Sequence, residues 1–144
     1  MKSAFRVRLA RPADVPACVD IAEAAVGPRR GGPLVQAALD RLQLLVARSD
    51  GEVVGTLAYR SDWFNCTFVA LVSVRPDWQR RGVARALYAA LEQLSPGPRL
   101  FSSAEETNSA GIQLHRALGF VASGYVDNLP QGYRELLFYK RLRI

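Results

Sequence analysis

A chain of 144 residues, 49% of them hydrophobic, is long enough to enclose one core and falls within the usual size of a single domain. Two cysteines, Cys18 and Cys66, and a single histidine exclude a disulfide framework and most zinc patterns, which leaves core packing for the thiols. The formal charge of +6 is carried almost entirely by arginine, in groups at Arg6, Arg8 and Arg11, at Arg29 and Arg30, at Arg75 to Arg85, and at Arg141 and Arg143. These groups fall in different elements without interleaved aromatics, so a small phosphorylated ligand accounts for them as well as nucleic acid does.

The amino end, MKSAFRVRLARPADV, has scattered charge and no apolar run of signal-peptide length, and no later run is long enough to span a bilayer. The expectation is a soluble, cytoplasmic, single-domain protein over residues 1–144, with no internal repeat or interdomain linker. FRVRLA alternates apolar and basic residues from Phe5 to Leu9, as a half-buried strand does. Asp14 is placed to cap a helix that tolerates Pro16 in its first turn and sets Val15, Cys18, Val19, Ala22 and Val26 on one face. VGPRRGGP breaks the chain. A shorter helical pattern then runs from Leu34 through Ala38 to Leu42 and into a strand, QLLVARS.

Asp50-Gly51 suits the positive backbone angles of a tight hairpin, so QLLVAR and EVVGTLAYR are predicted to pair antiparallel. A second reversal is expected near Arg60 to Trp63, leading into FNCTFVALVSV. From Phe68 to Val74 this strand is apolar without alternation, which predicts cover on both faces. The next helix carries Val83, Ala84, Leu87, Leu91 and Leu94 on one stripe and is stopped by SPGP at Ser95 to Pro98. RLFSS follows as a strand. Strand, helix and strand in succession require a crossover, so FVALVSV and RLFSS should be parallel neighbours in a mixed sheet. The helix NSAGIQLHRAL ends against Gly119 as a left-handed cap, and FVASGYV and RELLFYK are the last two strands.

The stretch RPDWQRRGVARAL, residues 75 to 87, opens a helix with a proline, adjacent arginines and a glycine. The first amides of a helix lack partners inside it, and with the helix dipole they form a site for an anion. Gly82 and Ala84 keep side chains small there, while Arg80 or Arg81 can add charge-assisted hydrogen bonds to a phosphate. Neither a Gly-Lys-Ser/Thr loop nor a triple-glycine dinucleotide fingerprint is present.

VSVRPDWQRRGVARALYAAL resembles the acetyl-CoA-binding motif of the GNAT (GCN5-related) N-acetyltransferases, with Val74, Pro76, Gln79, Gly82 and Ala84 in register. NSAGIQLHRALGF is similar to that family's second signature, with Asn108, Leu114, Gly119 and Phe120 matching. The resemblance covers essentially the whole chain. It implies an α/β (α+β) fold: a mixed, mostly antiparallel sheet of about seven strands with helices on both faces. It further implies acetyl-CoA as acyl donor, without a metal, its pyrophosphate on Gln79, Arg80, Arg81, Gly82, Val83 and Ala84 and its pantetheine arm beside Leu71, Val72, Ser73 and Val74, with Asn108 and His115 also at the cofactor. A primary amine would attack the thioester directly in a ternary complex, and a backbone amide near Val72 would stabilise the oxyanion.

This chain departs from the family pattern at three positions. His115 stands where a tyrosine acid is usual, Gly111 replaces an alanine, and Ala70 occupies the central-strand position where an acidic residue is often found. An imidazole can donate a proton to the departing sulfur; packing is its other use. Asp62, Glu105, Glu106, Glu135 or a bound water are the alternatives for the base. The acceptor surface implied by the family spans Gly27 to Pro33 and Val126 to Tyr133, where Arg29, Arg30, Trp63, Tyr125, Asp127 and Tyr133 could contribute. The partners expected are acetyl-CoA and a small-molecule or protein amine, with a homodimer allowed and neither nucleic acid nor a membrane. A non-catalytic acyl-CoA-binding regulatory module is the alternative reading.

Overall fold

Seven strands and four helices follow one another along the chain in a computed structural model that describes residues 4–142, so that Arg143 of the basic groups lies outside the described residues. The strands are β1 (Arg6–Leu9), β2 (Leu44–Ser49), β3 (Glu52–Trp63), β4 (Cys66–Val74), β5 (Arg99–Glu105), β6 (Val121–Val126) and β7 (Glu135–Arg141). The helices are α1 (Val15–Val26), α2 (Gly31–Asp40), α3 (Val83–Leu94) and α4 (Ser109–Ala117). The hydrogen-bonded strand order is β1-β2-β3-β4-β5-β7-β6. The predicted crossover is present, with Thr67 opposite Leu100 and Phe68 opposite Phe101 in a parallel β4–β5 pair. The β1–β2, β2–β3, β5–β7 and β6–β7 pairs are antiparallel.

Two compact units divide these elements, residues 1–60 with 70–94 and residues 61–69 with 95–144. The first is built on β1, β2, most of β3 and the end of β4. Alternation along β2 and β3 sends Leu44, Val46 and Ala58 to one face, where they form a core with Cys18, Ile21 and Ala22 of α1, Val35 and Ala38 of α2, and Leu71. The opposite face, that of Gly55, receives Val83 and Leu87 of α3. Each helix therefore buries its apolar stripe against the sheet, the packing from which most helical stability comes. Cys18 is fully buried in this core, and burial pushes its thiol up to about 11, so it stays a neutral packing group.

Asp14 occupies the N-cap position of α1 yet does not cap it by its side chain. Its carboxylate accepts from Nη1 and Nη2 of Arg8 (2.7 and 3.2 Å) and from the Arg11 amide (2.8 Å) across the 3-10 turn Pro12–Asp14. Burial raises its pKa, but the Arg8 and Arg11 hydrogen bonds and the charges of Arg8 and Arg48 outweigh that and hold the carboxyl below its usual range.

Several boundaries differ from the sequence reading for identifiable reasons. The Asp50-Gly51 hairpin is as predicted, both residues having positive φ (50° and 82°). The next reversal falls at Phe64 and Asn65 instead, where two non-glycine residues adopt φ of 49° and 60° and β3 runs on to Trp63. Leu42 is not on the apolar face of α2: the helix has ended, and Leu42 sits at φ 59° with 74% exposure. β4 is not covered evenly on both faces, since Thr67, Val69 and Leu71 are buried while Phe68, Ala70 and Val72 are half-buried.

The second unit holds the start of β4 with β5, β7 and β6. Along β5 the buried Leu100, Ser102 and Ala104 alternate with the half-buried Phe101, Ser103 and Glu105. Helix α4 contributes His115 to the buried face beside Ser102 and Phe138. On the other face Trp63 stacks on Phe68 with ring centroids 4.7 Å apart, and Phe101 tilts against Trp63 and Tyr139 at 5.1 and 5.2 Å.

Candidate functional site

The end of β4 and the entrance of α3 bring Leu71, Val72, Ser73 and Val74 into the same unit as Gln79, Arg80, Arg81, Gly82, Val83 and Ala84. The 3-10 turn Pro76–Trp78 reverses the chain after β4, closed by the Trp78 amide donating to Arg75 O at 2.9 Å. Arg80 then takes φ 61° and Gly82 φ 84°, two left-handed residues within three positions. This conformation favours glycine at 82, and a Cβ built there meets no atom within 4 Å, so the space above it is open. The Ala86 amide is bonded back to Gly82 O at 3.0 Å. The amides of Val83, Ala84 and Arg85 therefore stand in the first turn, where a helix supplies no partner of its own.

The charge at this entrance is positive. Arg80, Arg81 and Arg85 are exposed, and the Arg81 guanidinium lies over the Trp78 ring, 4.7 Å from its centroid, a cation–π contact that orients it. Phe5 packs edge-on against the same indole at 6.3 Å. Left-handed turns, free helix amides and oriented guanidinium groups together make a cradle for a phosphate group.

The strand residues play different parts. Leu71 turns its side chain into the core, Val72 and Val74 are half-buried, and Ser73 Oγ donates to Ile21 O of α1 at 3.2 Å. Val74 O accepts from Gln79 Nε2 at 3.2 Å, which ties the start of the turn to the strand. A groove of about 560 Å³ runs beside this corner, with Ile21, Val53, Ser73, Arg75 and Gln79 among its walls.

Asn108 and His115 belong to the second unit. Asn108 caps α4, its Oδ1 accepting from the Gly111 amide at 2.9 Å. The absent alanine has a physical reason here: a Cβ on Gly111 would come within 2.5 Å of Asn108 Nδ2 and 2.9 Å of its Cγ.

His115 is 2% exposed, stacked on Phe138 with centroids 4.5 Å apart and edge-on to Phe120 at 5.2 Å. Its Nδ1 lies 2.7 Å from Gly111 O, a group that can only accept, so Nδ1 carries the proton. In the neutral ring Nε2 is then the acceptor, at 2.7 Å, of the Ser102 hydroxyl. Burial lowers the imidazole pKa, opposed in part by the bond to Gly111 O, so the neutral ring is favoured. A ring in this state has no second N–H to give to a thiolate, and Ser102 already occupies its basic nitrogen.

Of the expected acceptor residues, Arg29 and Arg30 are exposed beside α2 in the first unit. In the second, Asp127 is held by Arg134 in a two-pronged ion pair (2.9 and 3.1 Å), and the same guanidinium covers the Tyr125 ring at 3.8 Å. Tyr133 is 52% exposed, and Trp63 is taken up by the aromatic stack. Among the carboxylates, Glu135 is half-buried and accepts from Ser103 Oγ at 2.7 Å, Glu105 is half-buried opposite it, and Asp62 and Glu106 are exposed.

Gly55, Trp78, Ser102 and Ser103 were not singled out by sequence reasoning. A lone glycine inside the strand pattern EVVGTLAYR marks a bulge or a close backbone approach, and that signal was available for Gly55. The partnership of His115 with Ser102 has no local sequence signal.

Residues 19–120 match the model of the acetyltransferase (GNAT) family, and the chain belongs to that family. The fold is also that of a GNAT-family acetyltransferase from Bacillus cereus ATCC 10987, 30% identical, with a TM-score of 0.87 over 98% of this chain and 99% of that one. The ribosomal-protein-S18-alanine N-acetyltransferase of Escherichia coli is similar at 19% identity and a TM-score of 0.81, covering 98% of this chain and 96% of that one. YncA of Salmonella typhimurium, solved with its cofactor acetyl-CoA, aligns at 21% identity and a TM-score of 0.80 over 97% and 95% of the two chains. Comparison with curated protein sequences gave no match. No described helix is long and apolar enough to cross a membrane.

Proposed function

We propose that the protein transfers the acetyl group of acetyl-CoA to a primary amine by direct attack of the amine on the thioester in a ternary complex, as one domain over the whole chain. The observation that carries this reading is the cradle at Arg80 to Ala84, with its two left-handed residues and open first-turn amides at the end of the central strand. Those amides and Arg80 and Arg81 would hold the diphosphate of acetyl-CoA, and the backbone of Leu71 to Val74 would run beside the pantetheine arm. The donor supplies an activated carbonyl, and the Val72 amide is assigned to the oxyanion.

Glu135, one oxygen of which accepts from Ser103 Oγ at 2.7 Å, is the carboxylate assigned to take the proton of the incoming ammonium. The thiolate leaves without a proton from His115, whose ring is neutral and engaged on both nitrogens. Asn108 acts as the cap of α4. The acceptor is a small-molecule or protein amine.

Thiol release from acetyl-CoA across a panel of primary amines tests the activity. Release that depends on an amine supports the transferase, and CoA binding without release for any amine supports an acyl-CoA-binding regulatory module instead. Glu135→Gln should lower kcat by on the order of a hundredfold, within the usual range for a general base, with acetyl-CoA affinity unchanged. A near-native kcat in that variant would hand the proton to solvent water.

A further inference from the structure

The phosphate turn does not stand on its own backbone alone. It is fastened at both ends to one irregular corner of β3. The β2–β3 ladder shifts register after Ala47, which faces Gly55, and the next pair is Arg48 with Val53. Val54 is therefore the extra residue of a β-bulge, a device that bends a strand and re-aims its groups. The Val54 carbonyl accepts from the Arg75 amide at 2.9 Å, which is where the chain leaves β4. Glu52, three residues before Gly55, reaches the Arg75 guanidinium at 3.3 Å.

Gly55 holds the far end of the turn. A Cβ on this residue would lie 2.8 Å from Val83 Cγ1, 3.4 Å from Leu87 Cδ1 and 3.4 Å from Ser73 O. Val83 is the first residue of α3 and follows Gly82 directly, and both Val83 and Leu87 are buried, so neither can swing into solvent. The first turn of α3 can sit at this height only because position 55 carries no side chain. Raising that turn would move the amides of Val83 to Arg85 while Arg75 stayed pinned to Val54.

We infer that the bulged corner Glu52–Gly55 is a positioning device for the phosphate turn, with Gly55 setting the height of the α3 entrance and hence the aim of its amides at the donor's diphosphate. The inference rests on the proposed binding of acetyl-CoA at that turn. Gly55 touches no part of the ligand and acts through Val83.

The test compares Gly55→Ala, Val83→Ala and the double variant by acetyl-CoA KM, kcat and CoA affinity from calorimetry. Gly55→Ala should raise KM and the CoA Kd on the order of tenfold with kcat little changed, because a misaimed cradle weakens donor binding without touching the reacting atoms. Removing Cγ1 in the double variant should return both constants to those of Val83→Ala alone. If Gly55→Ala does not accumulate as folded protein, Val83→Ile presses on the same contact from the helix side and should raise KM and Kd several-fold. A merely structural role would lower the melting temperature and leave KM and Kd in place; that result in the folded variant overturns the inference. Wild-type protein that fails to bind CoA at all would instead remove the reading on which it rests.

Discussion

The cluster around His115 and the turn around Gly82 both gather polar groups, and they use them in opposite ways. At His115 the imidazole and the Ser102 hydroxyl are buried, and the ring is hydrogen-bonded to that hydroxyl and to the half-buried Gly111 carbonyl. At Gly82 the backbone turns left-handed twice, the first amides of α3 have no partner within the helix, and the surroundings are open. A buried polar group without a partner costs about 1–3 kcal/mol, so a closed network reads as architecture. Open amides beside exposed arginines cost little in water and are free to take an anion. A family position such as 115 is therefore defined by what its atoms already do.

Filling the open cradle should give the largest effect. Gly82→Val asks a β-branched residue to hold φ near 84° and places its side chain where the phosphate would lie. CoA affinity should fall by on the order of a hundredfold or more by calorimetry, with the circular-dichroism spectrum of a folded protein retained. Unchanged affinity would make Gly82 a turn residue only and erase the contrast with His115.

Opening the closed network should act on stability more than on turnover. His115→Phe removes the ring's hydrogen bonds to Gly111 O and Ser102 Oγ, so chemical denaturation should show a loss of about 1–3 kcal/mol, while kcat stays within a few-fold of wild type. A kcat drop of a hundredfold or more with stability intact would return His115 to the role of proton donor. The pH dependence sharpens the same point. Because burial depresses the folded-state pKa, the unfolded chain takes up a proton on His115 more readily than the folded one. Its contribution to stability is complete above about pH 6.5, the unperturbed value, and is lost as pH falls from there through the folded-state pKa. The Phe variant should lack that part of the acid limb.

Much of the fold was legible because its signals are local. Asp50-Gly51 announced its hairpin, the stripe from Val83 to Leu94 announced α3, although Leu94 itself ends up 46% exposed, and the strand–helix–strand order required the parallel β4–β5 pair. The turn at Phe64 and Asn65 escaped because neither residue is a glycine, although both have positive φ. The cradle was legible for the same local reason as the hairpin, since Gln79 to Ala84 are contiguous. The closed state of His115 was not, because it depends on Ser102, thirteen positions away on β5. The corner at Gly55 was missed although a lone glycine in a strand was there to read, and what lies above it is set by the arrival of α3 from 28 residues further on.

Binding of CoA at the α3 entrance can be read in a melting experiment on the wild-type protein. A ligand that binds only the folded state adds about 2.7 kcal/mol at one hundred times its Kd, which for a chain of this size is roughly 5–10 °C. Acetyl-CoA and CoA should both produce such a rise, and a nicotinamide dinucleotide, for which the chain has no glycine fingerprint, should produce none. A melting temperature that does not move with millimolar CoA would contradict the account.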